Sequence, residues 1–215
     1  MASCFDEPAM SIADFTLFLS ITFVVSASPG PVMLSCMSNG GRYGMAKAIE
    51  GMVGASLGNL CLVALSAIGL GLIVSSNDLL FNSIKWLGAF YLVYLGIQLI
   101  RQPVLSVELG NATVNPSRAI WLSSFLIAVS NPKGFIYFGA LFPQFIAYDQ
   151  PLTLQFGLLT ITFLLTDMIW MLAYAALGKQ IMAWLKTPKH QKLFNITSGL
   201  ALVIAGLLVA ITGKH

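Results

Sequence analysis

Apolar residues run along this chain in long, nearly unbroken stretches separated by short polar connections. Six stretches stand out, at about 15–37, 49–74, 79–100, 119–147, 152–177 and 193–212. Each holds the roughly 20 residues a helix needs to cross the hydrocarbon of a bilayer. A segment in lipid finds no water for its N–H and C=O groups, so it must close its hydrogen bonds internally, as a helix does. The pattern predicts an all-α integral membrane protein with six transmembrane helices. The polar stretch 101–117 lies between the third and the fourth.

Composition narrows the classes. Of 215 residues, 57% are apolar and 9% charged, against about 25% charged in an ordinary soluble domain. Mean hydropathy is +0.85. A cytosolic enzyme, a nucleic-acid binder and a disordered regulator are all excluded on this balance. At roughly 30 to 40 residues per helix and connection, residues 1–215 make a single transmembrane domain with no extramembrane domain beside it. The three cysteines, Cys4, Cys36 and Cys61, are scattered, without a C-x-x-C. They offer neither a disulfide framework nor a metal site. The first ten residues carry Asp6 and Glu7 and no base, unlike the start of a signal peptide.

Charge placement sets direction. Arg42 and Lys47 fall in the first loop, Arg101 and Arg118 in the third, and Lys179, Lys186, Lys189 and Lys192 in the fifth, eight of the eleven basic residues. Lys85 and Lys214 fall on the other side, with Asp6, Glu7, Asp14, Asp78 and Asp149. The positive-inside rule then puts the odd loops in the cytoplasm and both termini outside. For a bacterial inner (plasma) membrane protein, outside is the periplasm.

The two halves of the chain are alike. Ser28-Pro29-Gly30-Pro31 interrupts the first stretch and Asn131-Pro132-Lys133-Gly134 the fourth, 103 residues apart. Repeat one covers about 13–100 and repeat two about 118–213. Three spans per half is an odd number, so the halves insert in opposite orientation, an inverted 3+3 repeat with helices 1 and 4 broken. In such transporters the substrate sits near the midplane on the interrupted helices. Pro lacks an N–H and clashes with the preceding turn, which breaks a helix. Ser28-Pro29 and Asn131-Pro132 both read as an N-cap followed by Pro at the first helical position. The positive end of each new half-helix suits a carboxylate. The carbonyls released upstream, near Val25 and Ala27, suit an ammonium. Candidate substrate-binding residues are therefore Pro29, Gly30, Pro31, Asn131, Pro132 and Lys133. Proline as a simple kink is the competing reading.

Two ionisable residues lie deep. Lys133 is about 21 Å and Asp167 about 15 Å from the cytoplasmic ends of their spans, at 1.5 Å per residue. Each charge costs about 2.5–3.5 kcal/mol there on insertion scales. An ion pair, a proton site or a substrate contact would account for them. Asp167 is the candidate proton-coupling residue, with Lys133 its partner or a carboxylate ligand. Trp170 and Tyr174 follow Asp167 by one and two turns on its face and read as a pocket wall or as packing. Gly51, Gly54, Ala55 and Gly58 line one face of the second span and favour close helix approach. Asn59 reads as a helix-to-helix hydrogen bond, and Trp86 and Trp184 as interface anchors.

The Pro-Gly-Pro at 29–31, the glycines at 40, 44, 51, 54 and 58, and Leu87-Gly88-Ala89-Phe90-Tyr91-Leu92-Val93-Tyr94-Leu95-Gly96 resemble the LysE/RhtB amino-acid exporter family. So do Asn131-Pro132-Lys133, Phe142-Pro143-Gln144-Phe145, and Asp167 with Trp170 and Tyr174. The resemblance runs from about residue 15 to 211. It implies six spans and export of amino acids or close derivatives driven by the proton motive force. Val32 stands where the family often has Asn. The implied partners are a small amino-acid substrate, protons and the lipid bilayer, with a homodimer open and no cofactor or metal. Rival readings within the wider superfamily are a metal-ion exporter, for which only Asp167 is clearly available as an acid, and a passive channel for small metabolites. A thiol electron relay would need a cysteine beside each break, and Asn131-Pro132 has none. An enzyme is not expected, since no Ser/His or Cys/His arrangement lies within the spans.

Overall fold

The computed structural model describes residues 10–73, 78–102, 116–147 and 150–211. Cys4, Asp6, Glu7, Asp149, Lys214 and the last two residues of repeat two lie outside these residues. Regular structure among the described residues is entirely helical: α1 (Ile12–Ala27), α2 (Pro31–Tyr43), α3 (Met45–Ile73), α4 (Asp78–Arg101), α5 (Pro116–Val129), α6 (Pro132–Ile136), α7 (Leu152–Ala176), α8 (Gly178–Trp184) and α9 (Pro188–Ile211). A π turn, Tyr137–Leu141, and a 3-10 turn, Phe142–Phe145, prolong α6. Pro143 has no N–H to continue the α-helical ladder, so the backbone changes its winding on approach to it.

Helices α3, α7 and α9 are each long and apolar enough to cross a membrane, and the count reaches five if each of two bent pairs is one span. The bends are 56° between α1 and α2 and 46° between α5 and α6 with its extension. These are the two interrupted stretches. Helix α4 has 24 residues but carries Asp78, Lys85 and Arg101 and is not among the five. Helix α8, in the fifth connection, has no counterpart among the six expected stretches. Large apolar side chains face outward along the helices, among them Ile68, Leu87 and Leu154, each about two-thirds exposed. Lipid, not water, suits such a surface.

Helix ends follow from local chemistry. Ser11 caps α1: its Oγ accepts the Asp14 N–H at 3.0 Å, and the Asp14 carboxylate sits in the first turn, at the positive end of the helix. Between α2 and α3 only Gly44 intervenes, at φ +82°, a left-handed conformation that a side chain would strain.

Small residues set the helix pairs. A Cβ on Gly54 would collide with the Trp121 carbonyl, and one on Gly58 with Phe125 and Ala128, so α3 and α5 run in backbone contact. The glycine face expected on the second span is thus used as expected. Gly40 of α2 meets Ala175 of α7. Gly96 of α4 and Gly199 of α9 each face the other's carbonyl. Gly54→Leu should overpack the α3–α5 seam at a cost of about 1–3 kcal/mol. Its melting temperature in detergent is expected to fall well below that of Gly157→Leu, where the glycine faces open space. Equal melting of the two variants would show that α3 and α5 are not in backbone contact.

The interior divides into two apolar clusters. One gathers Phe18, Val25, Leu62, Phe138, Phe142 and Phe163 with their neighbours. The other gathers Val32, Met33, Ala55, Ala128, Met171 and Tyr174 with theirs. Helices α1–α2, α3, α5–α6 and α7 each pass from one cluster to the other. Between the clusters, all four contribute polar residues to a single layer.

Candidate functional site

That polar layer holds both helix breaks and both deep charges. Ser28 ends α1: its N–H donates back to the Val24 and Val25 carbonyls, and Pro29 after it holds it extended at ψ 134°. The helix restarts with Gly30 as N-cap and Pro31 at the first position. This corrects the expectation that Ser28 is an N-cap followed by Pro29. Two prolines in alternate positions shift the restart by two residues. At the second break the expectation holds. The Asn131 Oδ1 accepts the Lys133 N–H at 3.1 Å, and Pro132 opens α6.

Lys133 reaches from α6 across to the end of α1. Its Nζ donates to the Val25 carbonyl, to the Ser28 carbonyl at 3.1 Å and to the Ser28 Oγ at 2.9 Å. The three donors of an ammonium are all used. Tyr174 of α7 donates its hydroxyl to the Ala27 carbonyl at 2.9 Å. The released carbonyls expected near Val25 and Ala27 are therefore real, but side chains of the second half already occupy them.

Asp167 of α7 is 6% exposed and accepts a hydrogen bond from Asn59 Nδ2 at 3.1 Å. Asn59 does bridge two helices, and its partner is the deep carboxylate. Ser26, buried beside them, has a hydroxyl with no hydrogen-bond partner of good geometry. Lys133 and Asp167 form no ion pair. The two charges instead face one small cavity of about 30 Å³, lined also by Ser26, Asn59 and Tyr137. That is room for one or two waters, among polar groups able to hold them.

A second cavity, about 800 Å³, opens on the other side of Lys133. Pro29, Gly30, Pro31, Asn131, Pro132 and Lys133 all line it. Its remaining wall comes from the end of α4, chiefly Tyr94, Gln98, Arg101 and Gln102, with Leu202 of α9. The size suits a small-molecule pocket, which typically spans about 300–1,000 Å³. Gly30, Asn131 and Lys133 line both cavities and form the partition between them. Trp170 and Tyr174 line neither: Trp170 packs on Phe23 with ring centres 5.0 Å apart, and Tyr174 holds the α1 break.

Arg101, Gln98 and Gln102 were not legible as site residues, since they read as the polar end of a span. Ser26 gave only a weak signal, a hydroxyl two residues before Ser28 in an apolar run.

The family model for the LysE type translocator matches residues 23–213. A homoserine/homoserine lactone efflux protein of Salmonella typhimurium is 33% identical over 199 residues, covering 92% of this chain and 96% of its own. A leucine efflux protein of Enterobacter sp. is 27% identical over 209 residues, covering 95% and 97%. An uncharacterized membrane protein of Vibrio cholerae is 33% identical over 201 residues, covering 94% and 98%. No solved structure matches. With most of its length matched by the family model, and with efflux proteins aligned almost end to end, the chain belongs to the LysE type translocator family of membrane transporters.

Proposed function

We propose that this protein is a secondary active exporter in the bacterial inner membrane. It moves amino acids or close derivatives out of the cytoplasm by proton antiport with alternating access. One observation carries the reading: both helix breaks open onto one cavity of about 800 Å³ that ends at Lys133, with Asp167 in a separate chamber behind. A cargo site closed at its inner end, next to a buried carboxylate, is what an antiporter needs. A passive channel would need continuity through the Gly30–Asn131–Lys133 partition. A metal-ion cargo would meet the Lys133 ammonium.

Six spans in an inverted repeat complete the proposal, with α4 as the sixth span. The packing supports it. Exchanging the two halves carries the α3–α5 contact onto the α7–α1/α2 contact and leaves α4–α9 paired with itself. Gly96 and Gly199, in mutual contact, are 103 residues apart, the same offset as Pro29 and Pro132. With both termini periplasmic, the end of the cavity at Arg101 and Gln102 faces the cytoplasm, as an inward-open form requires. The relatives named for homoserine, homoserine lactone and leucine efflux differ in side chain, and the lactone has no free carboxylate. A primary amine is what those three molecules share, and the cargo class proposed here is the small amino compound.

The test is transport in reconstituted vesicles under an imposed pH gradient, with labelled leucine and homoserine as probes. Accumulation approaching about tenfold per pH unit is expected for one-proton exchange, with collapse on addition of an uncoupler. Equilibration without accumulation, at an intact gradient, would identify a channel instead.

A further inference from the structure

The Val25 carbonyl, the Ser28 carbonyl and the Ser28 hydroxyl form a three-point seat for a primary ammonium, and Lys133 fills it. We propose that this seat is the cargo's own amine subsite, that Lys133 holds it while no cargo is bound, and that an arriving amine displaces Lys133 toward Asp167. The inference rests on the export reading and gives it a ligand chemistry and a coupling step.

Four observations converge. First, the seat is complete: three acceptors meet the three donors of an –NH3+ group, whatever carbon skeleton carries it. Second, the lysine that fills the seat spans the two cavities, and Val25 of the seat lines the small one. Lys133 lines the large cavity, from which cargo arrives, and the small one, which holds Asp167. Third, a second place for the lysine exists. The Asp167 carboxylate accepts a hydrogen bond from Asn59, and the buried Ser26 hydroxyl beside it makes no hydrogen bond of good geometry. An ammonium arriving there would gain a charge-assisted bond and satisfy the hydroxyl. Fourth, the backbone of α2 leaves room beside the lysine. Gly30 has no side chain, and a Cβ on it would lie 3.8 Å from both Cδ and Nζ of Lys133. The four-carbon stem of lysine is flexible enough to move the charge across a chamber of water size.

The exchange yields antiport. Asp167 cannot keep a proton and also pair as a carboxylate with Lys133. Cargo binding from the cytoplasmic cavity moves Lys133 onto Asp167, and the carboxyl proton leaves toward the cytoplasm. A proton returning to Asp167 from outside frees Lys133, which retakes the seat and expels the cargo amine. One amine is thus exchanged for one proton, through a single lysine.

The seat recognises the amine and makes no demand on the carboxylate. In vesicles with the membrane potential clamped, L-leucine and L-leucinamide should exchange at rates within about threefold of each other. N-acetyl-L-leucine should exchange about 100-fold more slowly or worse, as loss of two or more charge-assisted bonds implies. Lys133→Met empties the seat without shortening the side chain much. If the lysine fills the seat nine-tenths of the time, the variant should bind L-leucine about tenfold more tightly while losing pH-driven accumulation. A lysine that merely braces α1 predicts the reverse, weaker binding. Exchange of N-acetyl-L-leucine as fast as leucine, or weaker leucine binding by folded Lys133→Met protein, would overturn the seat and leave export standing. Where Lys133→Met does not fold, the three-probe comparison on the unaltered protein decides. Movement of none of the probes would remove the export reading and the seat together.

Discussion

Asp167→Asn is expected to abolish uphill export while leaving exchange between vesicle faces at equal pH. The substitution keeps the shape and keeps the Asn59 bond, because the amide oxygen of an asparagine still accepts from Asn59 Nδ2. It removes the capacity to bind and release a proton, and with it the negative charge that would receive Lys133. Accumulation should therefore fall from up to about tenfold per pH unit to no accumulation. Exchange at equal pH requires no net proton movement and should survive. Full pH-driven accumulation by Asp167→Asn would remove this residue from the coupling mechanism.

The folding cost of that change separates a coupling role from a structural one. Breaking a buried ion pair typically costs about 3–5 kcal/mol, because the partner charge is stranded. Lys133 is not stranded here: its three donors rest on Val25 and Ser28, and it makes no ion pair with Asp167. Asp167→Asn should therefore melt close to the unaltered protein. A loss on the scale of a broken buried pair would show that the two charges sustain each other in the fold.

Much of this arrangement was legible in the sequence, because lipid makes the signals coarse. Apolar runs locate α3, α7 and α9, and proline in the middle of a run kinks or breaks the helix, so both bent pairs were visible. Asn131-Pro132 follows capping rules and folds as they predict. Ser28-Pro29 does not, because a second proline two residues later offers a better start and Gly30 tolerates the extended cap. What the sequence hides is who meets whom across the bundle. Nothing local says that Lys133, 105 residues from Ser28, would supply the ammonium for the carbonyls that α1 releases. Nor does spacing along α7 reveal that Tyr174 turns to the Ala27 carbonyl while Trp170 turns to Phe23. Those are consequences of helix rotation, which packing decides. The wall formed by Gln98, Arg101 and Gln102 was missed for a similar reason: a polar span end looks the same whether it faces headgroups or a cavity.

Replacing Pro29 and Pro31 together with Ala is expected to give a folded, membrane-inserted protein with export lost. The two prolines withhold two particular hydrogen bonds. In a continuous helix the N–H of residue 29 would bond the Val25 carbonyl, and that of residue 31 the Ala27 carbonyl. Those are the acceptors now held by Lys133 and Tyr174. Alanine favours a helix interior over proline by about 3 kcal/mol per site, enough to compete with a side-chain hydrogen bond worth about 1.5–3 kcal/mol when the donor is charged. The double variant should therefore close the ladder through the break, straighten the 56° bend and eject Lys133 from its seat. Pro31→Ala alone should be mild, since Pro29 still withholds its own N–H and Gly30 still breaks the run. Helicity by circular dichroism should rise slightly in the double variant and not in the single one. Vesicle export should fall to background only in the double variant. Normal export by a folded double variant would show that the prolines bend the helix without serving the site.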